Sequence, residues 1–298
     1  MEQHQSPAAN TVLDEHKSYA DAQVKKLQEP LLANTNSRFS ISPITYPEAW
    51  KMYKKAEDHI WKTEGVFLGT DVKHWDTLEH SEKKLIELTL AFLSTTQGIA
   101  NETLIKNLAT EIKNPEARCF LGLQMAANNT HNEMYCKLIN KYIKCEKKKY
   151  KLFHATKNLT GIKRKTEWAL HFCNAPTLSL AERVIASIAI DSIFQSTTFA
   201  AIAWINKRGL MPGLAFSNEQ ARRDKILHCD FACWIHENLK AKATPYKIHQ
   251  ILDAAVVVER AFAEETLQVE AIGLKRDETG KYTEFVADQW LQKLGQPK

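Results

Sequence analysis

The sequence predicts an all-α protein, and two observations support this prediction. Only 10 glycines and 9 prolines occur among 298 residues, so long stretches lack the residues that interrupt helices. Apolar residues recur at the spacing of one helix face over most of the chain, whereas few segments alternate with the period of a strand. The simplest organisation is one all-α domain over residues 38–298, preceded by a polar, flexible tail over residues 1–37.

Eight helical segments are predicted in chain order, and the first three have clear start signals. Pro47 is well placed as a first helical residue, and its helix should run to about residue 62. Ser81 and Glu82 open a long helix to about residue 112, and Pro115 opens another to about residue 144. The remaining helices are placed by periodicity at about 147–172 with a break near Gly161, 180–207, 217–240, 245–272 and 282–294.

Composition and charge exclude several classes of function. The net charge of +5 is mild, and the basic stretch at 144–151 lacks an aromatic platform, so we interpret it as a solvated loop and helix end. No apolar run reaches the ~18 residues of a membrane span, and no signal pattern begins the chain. Six cysteines without a C-x-x-C pair are typical of a reduced protein. We expect a soluble, cytoplasmic protein that binds neither nucleic acid nor membrane.

Four predicted helices carry polar side chains in the middle of an otherwise apolar face. Burying unpaired polar groups is costly, so four such helices imply that these groups meet one another. In chain order the polar residues are Gln97; Gln124, Asn128, His131 and Tyr135; Asp191 and Gln195; Lys225 and His228.

Two of these helices place a histidine three positions after a polar residue, as Asn128 with His131 and Lys225 with His228. Residues at this spacing share a helix face. A lone helical histidine is more commonly a packed or surface residue than a ligand. Glu-x-x-His on two helices, with a carboxylate on each of two others, is however the ligand pattern of ferritin-like di-iron bundles. The chain thus has this pattern with most carboxylates replaced.

Eight stretches are together specific enough to identify relatives. They are RF at 38–39, WKMYKKAE at 50–57, EARCF at 116–120, HNEMY at 131–135, KRGLMPGL at 207–214, FSNE at 216–219, HCDFAC at 228–233 and EFVAD at 284–288. With these stretches the chain resembles, over about residues 38–295, the small, radical-generating subunit of class I ribonucleotide reductase in its eukaryotic and viral form. The resemblance implies a ferritin-like helical bundle in which a di-iron centre and oxygen oxidise a buried tyrosine. The radical then serves the large subunit, which makes deoxyribonucleotides.

The resemblance also implies six metal ligands, and this sequence departs from the family at most of them. The family carboxylates fall, in order, on Gln97, Asn128, Asp191 and Lys225, and the two histidines are retained as His131 and His228.

The charges at these positions decide the expected consequence. Two ferrous ions carry four positive charges, which four carboxylates offset in the family. Here Asp191 and Lys225 sum to zero, and a buried ammonium would repel iron. We therefore expect no di-iron centre and no other cofactor. Our hypothesis is that Lys225 pairs with Asp191, with Asn128 and Gln97 completing the hydrogen bonds.

The residues of radical chemistry are implied by resemblance alone. Tyr135 stands at the radical-tyrosine position, and Trp61, Asp224 and His131 match the relay toward the large subunit, with Arg223 matching beside them. We interpret them as inherited packing and hydrogen bonds in preference to a working relay.

The surroundings of the tyrosine position favour this interpretation. One phenylalanine that shelters the radical in the family is Gln195 here, although Phe199 remains. A polar neighbour suits a quiet tyrosine better than a persistent radical.

The leading hypothesis is a non-radical-generating partner or regulatory subunit, as a homodimer or as a heterodimer with an active small subunit. The family dimerises through these helices, and paralogues without metal ligands are known in it. The large reductase subunit is a further candidate partner, although docking through a C-terminal tail is not expected because the sequence ends at Lys298 without that tail. An alternative is a metal-free radical-generating subunit with a modified Tyr135 and Lys225 in the former metal site. A structural protein detached from nucleotide reduction has no positive support.

Overall fold

The structure is a computed structural model that describes residues 29–32, 40–175, 177–272 and 275–297. These residues form α-helices joined by short connections and contain no strand. The helices are α1 (Pro47–Glu57), α2 (Gly69–Thr77), α3 (His80–Thr103), α4 (Pro115–Tyr142), α5 (Glu146–Phe153), α6 (Ala155–Asn158), α7 (Thr160–Asn174), α8 (Leu180–Ile188), α9 (Phe194–Lys207), α10 (Pro212–Asn238), α11 (Pro245–Ala261) and α12 (Arg276–Lys293). The prediction of an all-α protein is confirmed.

Three helices contain or end in a π-helical turn, which the sequence did not predict. These turns are Leu104–Ala109 after α3, Ala189–Ile193 between α8 and α9, and Phe262–Leu267 after α11. Single π turns within helices occur frequently at functional sites. The second turn contains Asp191. The helix predicted at 180–207 therefore has π-helical winding at a residue that was predicted to face the bundle interior.

A central bundle of four long helical segments encloses the core. Helix α3 packs against α4 and α9, and α10 packs against α4, α8 and α9, which closes the ring. Helix α1 lies on α4, α7 on α3, and α11 on α8, and α12 packs against both α11 and α9. The four helices predicted to carry inward polar groups are therefore the four that face one another.

The N-terminus of α10 is capped by a carboxylate from α2, a helix that the sequence did not predict. Asp71 is fully buried, and it accepts backbone N–H bonds from Gly213 (2.7 Å) and Leu214 (2.8 Å). It also accepts the hydroxyl of Tyr142 at 2.7 Å. Because the first N–H groups of a helix lack partners within it, Asp71 allows α10 to begin at Pro212, before the predicted start near residue 217.

Part of the predicted N-terminal tail is docked on the body. Residues 1–28 and 33–37 lie outside the described residues. Within 29–32, Leu31 is fully buried, and the Glu29 carboxylate accepts the backbone N–H groups of Lys240 (2.9 Å) and Ala241 (2.6 Å). These four residues therefore depart from the free tail that composition predicts, because their leucines and carboxylate find partners on the bundle.

Two features bear on the excluded functions. In the basic stretch, Lys148 pairs with Glu87 at 2.6 Å and Lys149 with Glu146 at 2.7 Å, so part of its charge is offset. Contrary to the sequence prediction, the segment Leu180–Lys207 is long and apolar enough to cross a membrane. Its most apolar window is 83% buried in the bundle, as expected of a core helix.

Candidate functional site

A buried ion pair stands where the sequence pattern leads to the expectation of metal ligands. Lys225 Nζ lies 2.6 Å from Asp191 Oδ1 and donates to Asn128 Oδ1 at 2.8 Å. Lys225 is 2% exposed, Asp191 5% and Asn128 0%. The predicted pairing of Lys225 with Asp191, supported by Asn128, is confirmed.

A chain of amides, which the sequence did not predict, extends this pair toward the surface. Asn128 Nδ2 donates to Asn101 Oδ1 at 2.9 Å, and Asn101 Nδ2 donates to Asn129 Oδ1, also at 2.9 Å. Asn101 lies one turn from Gln97 on α3, a spacing that could have indicated it. The chain satisfies the polar atoms of Asn128, as burial requires.

Gln97 does not complete these hydrogen bonds, so this part of the hypothesis is wrong. The residue is fully buried, yet neither its amide nitrogen nor its amide oxygen has a partner in the part of the chain that the structure describes. The Lys225 ammonium donates to Asp191 and Asn128 instead, because both acceptors lie within hydrogen-bond distance of it.

The second oxygen of Asp191 faces two further side chains. Gln124 Nε2 donates to it at 3.4 Å, and His228 Nδ1 lies 3.5 Å away. Burial by itself would raise the pKa of Asp191, but the Lys225 ammonium and His228 hold it well below its usual value. Burial also lowers the pKa of His228. The carboxylate is therefore ionised, beside a neutral imidazole.

The relay positions form a second buried cluster beside the first. Asp224 Oδ2 accepts Trp61 Nε1 at 3.0 Å and lies 2.8 Å from His131 Nε2. Burial lowers the pKa of His131 to about 4, although Asp224 opposes this shift. His131 Nδ1 has no hydrogen-bond partner among the described residues. The structure thus brings Trp61, Asp224 and His131 together, but Arg223 pairs with Glu219 on the surface at 3.1 Å.

Tyr135 and the two positions that the resemblance places around it, Gln195 and Phe199, are all buried. Tyr135 is 1% exposed, and its hydroxyl has no partner within the described ranges. Burial raises the pKa of Tyr135 well above its usual value. Gln195 is also fully buried, and its amide donates to the Ile190 carbonyl at 3.4 Å. Phe199 is 8% exposed.

A second buried ion pair, absent from the sequence analysis, joins the outer helices. Lys165 on α7 pairs with Glu259 on α11 and donates to the Phe194 carbonyl at 2.7 Å. Its ammonium lies 3.8 Å from the ring centroid of Phe92 and 3.5 Å from that of Phe262. Burial lowers the pKa of Lys165 to about 8. Lys165 lies on the same helix face as the buried residues Ile162 and Ala169. This shared face is the one sequence signal that could have indicated a buried lysine.

Comparisons with known proteins show the family of this chain. Residues 38–298 match the family described as ribonucleotide reductase, small chain. The chain belongs to this family. It is 46% identical over 273 residues to the ribonucleoside-diphosphate reductase small chain of Spisula solidissima, covering 91% of this chain and 71% of that one. It is 43% identical over 267 residues to the human ribonucleoside-diphosphate reductase subunit M2, covering 90% and 69%.

A solved structure extends the similarity to the whole fold. The ribonucleotide reductase Rnr4 homodimer of Saccharomyces cerevisiae superposes with a TM-score of 0.87 at 30% identity, and the match covers 97% of this chain and 92% of that one. The expected ferritin-like bundle of a class I small subunit is confirmed.

Small chains of this family take their metals between the four inner helices, and the side chains present here do not match that task. Among residues 29–32, 40–175, 177–272 and 275–297, no group of three or more His, Cys, Asp or Glu side chains is placed to hold a metal ion. Of the four positions that the resemblance assigns to carboxylate ligands, Asp191 alone is a carboxylate, and it is already paired with Lys225.

Acid should destabilise this small chain through His131. Its pKa is about 4 in the folded state and 6.5 in its unperturbed state, so the unfolded chain binds a proton first. The stability that the neutral imidazole contributes is present above pH 6.5 and is lost as pH falls toward 4. Between pH 7 and pH 4.5 this loss should be about 2 kcal/mol. Urea unfolding of wild type and His131→Asn at both pH values measures it, and an equal loss in both proteins would contradict the assignment.

Proposed function

We propose that this chain is a class I ribonucleotide reductase small subunit that forms no di-iron centre and acts as a non-radical-generating partner of an active small subunit in the cytoplasm. One observation carries the proposal: a lysine ammonium occupies the former ligand position at 225 and is bonded to Asp191 and Asn128.

The chemistry of the donor set supports this reading. Iron prefers anionic oxygen ligands, and two ferrous ions need several of them. Asn128 and Gln97 are neutral amides, and Asp191 is neutralised by Lys225 at 2.6 Å. Removing Lys225 from this pair to admit a cation would leave an ammonium buried beside the metal, which is strongly unfavourable.

The remaining family parts support a partner role. The Trp61–Asp224–His131 cluster is intact. The helical scaffold is therefore preserved although most of the carboxylate ligands are replaced. The similar yeast protein Rnr4 was solved as a homodimer, and small chains of this family pair through their long helices. A chain with a preserved scaffold and no metal can stabilise an active small subunit through the same interface.

Co-expression with an active small subunit of this family tests the proposal. The purified chain alone should contain far less than one iron per chain and show no tyrosyl signal by electron paramagnetic resonance. The co-expressed pair should purify as a 1:1 heterodimer with iron in the active chain only. Iron near two per chain in the isolated protein would overturn the loss of the metal centre. Failure to form the heterodimer would overturn the partner role alone.

The buried lysine also favours one alternative, a metal-free radical subunit with a modified Tyr135. The same preparation distinguishes it, because an added oxygen on Tyr135 by mass spectrometry, or a tyrosyl-type signal without metal, would support this alternative.

A further inference from the structure

A cleft of about 90 Å³ opens on the surface between the end of α1, α4 and α10. Its volume exceeds several-fold the roughly 10–15 Å³ that one water requires, and it is sufficient for one ring with a short arm. Its outer walls are mainly apolar: Ala56, Ile60, Phe120, Leu123, Ala126, Ala127 and Leu227. The small side chains of Ala126 and Ala127, adjacent on α4, keep this space open.

The inner end of the cleft offers hydrogen-bond acceptors. Asp224 lines it, and only Oδ2 of this carboxylate accepts hydrogen bonds from described residues. Gln124 also lines it; its amide nitrogen donates to Asp191, which leaves its carbonyl oxygen as an acceptor.

His228 also lines this inner end, but its Nδ1 faces the Asp191 carboxylate. The residue is 4% exposed, and its Nδ1 lies 3.5 Å from Asp191 Oδ2. The acceptors that a ligand can use at this end are therefore Oδ1 of Asp224 and the carbonyl oxygen of Gln124.

We propose that this cleft binds a small primary ammonium that carries one aromatic ring. An ammonium has three donors and no acceptor, which matches the acceptors of Asp224 and Gln124. The bond to the Asp224 carboxylate is charge-assisted. The ring fits the apolar walls beside Phe120 and Trp61, where aromatic faces also attract cations. A carboxylate or phosphate ligand would meet a like charge at the inner end.

Titration of the full chain with benzylamine, followed by NMR or calorimetry, tests this proposal. Benzylamine should bind with a Kd on the order of 1 mM, as expected for a ligand of this size. Benzoate should bind at least tenfold more weakly. Equal binding of benzoate and benzylamine, or no binding of benzylamine, would overturn the proposal.

Two variants locate the site. Ala127→Leu fills the cleft, and Asp224→Asn removes its charge, so each should weaken benzylamine binding at least tenfold. Ala254→Leu on the exposed face of α11 is the matched control and should leave binding unchanged. Melting temperatures identify any variant that fails to fold, and the second cleft variant then decides. Unchanged binding in a folded Ala127→Leu protein would place the ligand elsewhere and overturn the proposal.

Discussion

Replacing Asp191 by asparagine should lower the free energy of unfolding by about 3–5 kcal/mol, the usual cost of removing one partner from a buried ion pair. The Lys225 ammonium would keep its bond to Asn128 (2.8 Å) but would lose its only carboxylate among the described residues. Lys225 is 2% exposed, so water cannot replace that partner. Urea unfolding at pH 7 measures the loss.

A double-mutant cycle separates the ion pair from other effects of the substitution. Asp191→Asn combined with Lys225→Met removes both charges, and most of the lost stability should return. The matched control is the exposed pair Lys275 and Glu278, whose side chains are 78% and 66% exposed. Its cycle should show a coupling of about 0.5 kcal/mol or less. Equal couplings for the two pairs would contradict the importance of burial.

Restoring the three missing carboxylates and lengthening the fourth should give this chain iron, at about two per chain. The variant carries Gln97→Asp, Asn128→Glu, Asp191→Glu and Lys225→Glu, which supplies the four negative charges that two ferrous ions require. Metal analysis after anaerobic loading with ferrous iron measures the gain.

The support around His131 makes this restoration plausible. Histidine ligands usually bind a carboxylate through their other ring nitrogen. His131 Nε2 already lies 2.8 Å from Asp224, and its Nδ1 is left without a partner among the described residues. The control is the triple variant that keeps Lys225, which should bind no iron. Iron in that variant would show that the ammonium is not the obstacle.

Most of the fold could be predicted because the buried face of each helix appears in the sequence as apolar residues at helical spacing. The stripes that contain Gln97, Asn128, Asp191 and Lys225 all lie inside the bundle. The starts at Pro47 and Pro115 are also confirmed. The start of α10 was wrong, because its cap comes from Asp71, a residue distant in sequence. Helix α2 is short and weakly periodic, so no local pattern indicated it.

The candidate site was predicted less completely than the fold. Resemblance to the small chains of ribonucleotide reductase assigned positions, and charge alone then predicted the pairing of Lys225 with Asp191. The roles of Asn101 and Gln97 could not be predicted, because both depend on distances between α3 and α4. Lys165 and Glu259 were missed for the same reason, since their partners lie on different helices.

The sequence by itself determined the all-α class, the family, and the absence of carboxylates at three of the positions that the resemblance assigns to metal ligands. Only the tertiary structure decided which polar groups found partners. The π turn at Ala189–Ile193, the amide chain through Asn101 and the unpartnered amide of Gln97 all arise from packing between helices. Periodicity specifies which face of a helix turns inward. The few ångströms that separate a hydrogen bond from an unpaired group are set by local winding and by neighbouring helices, which one sequence pattern does not record.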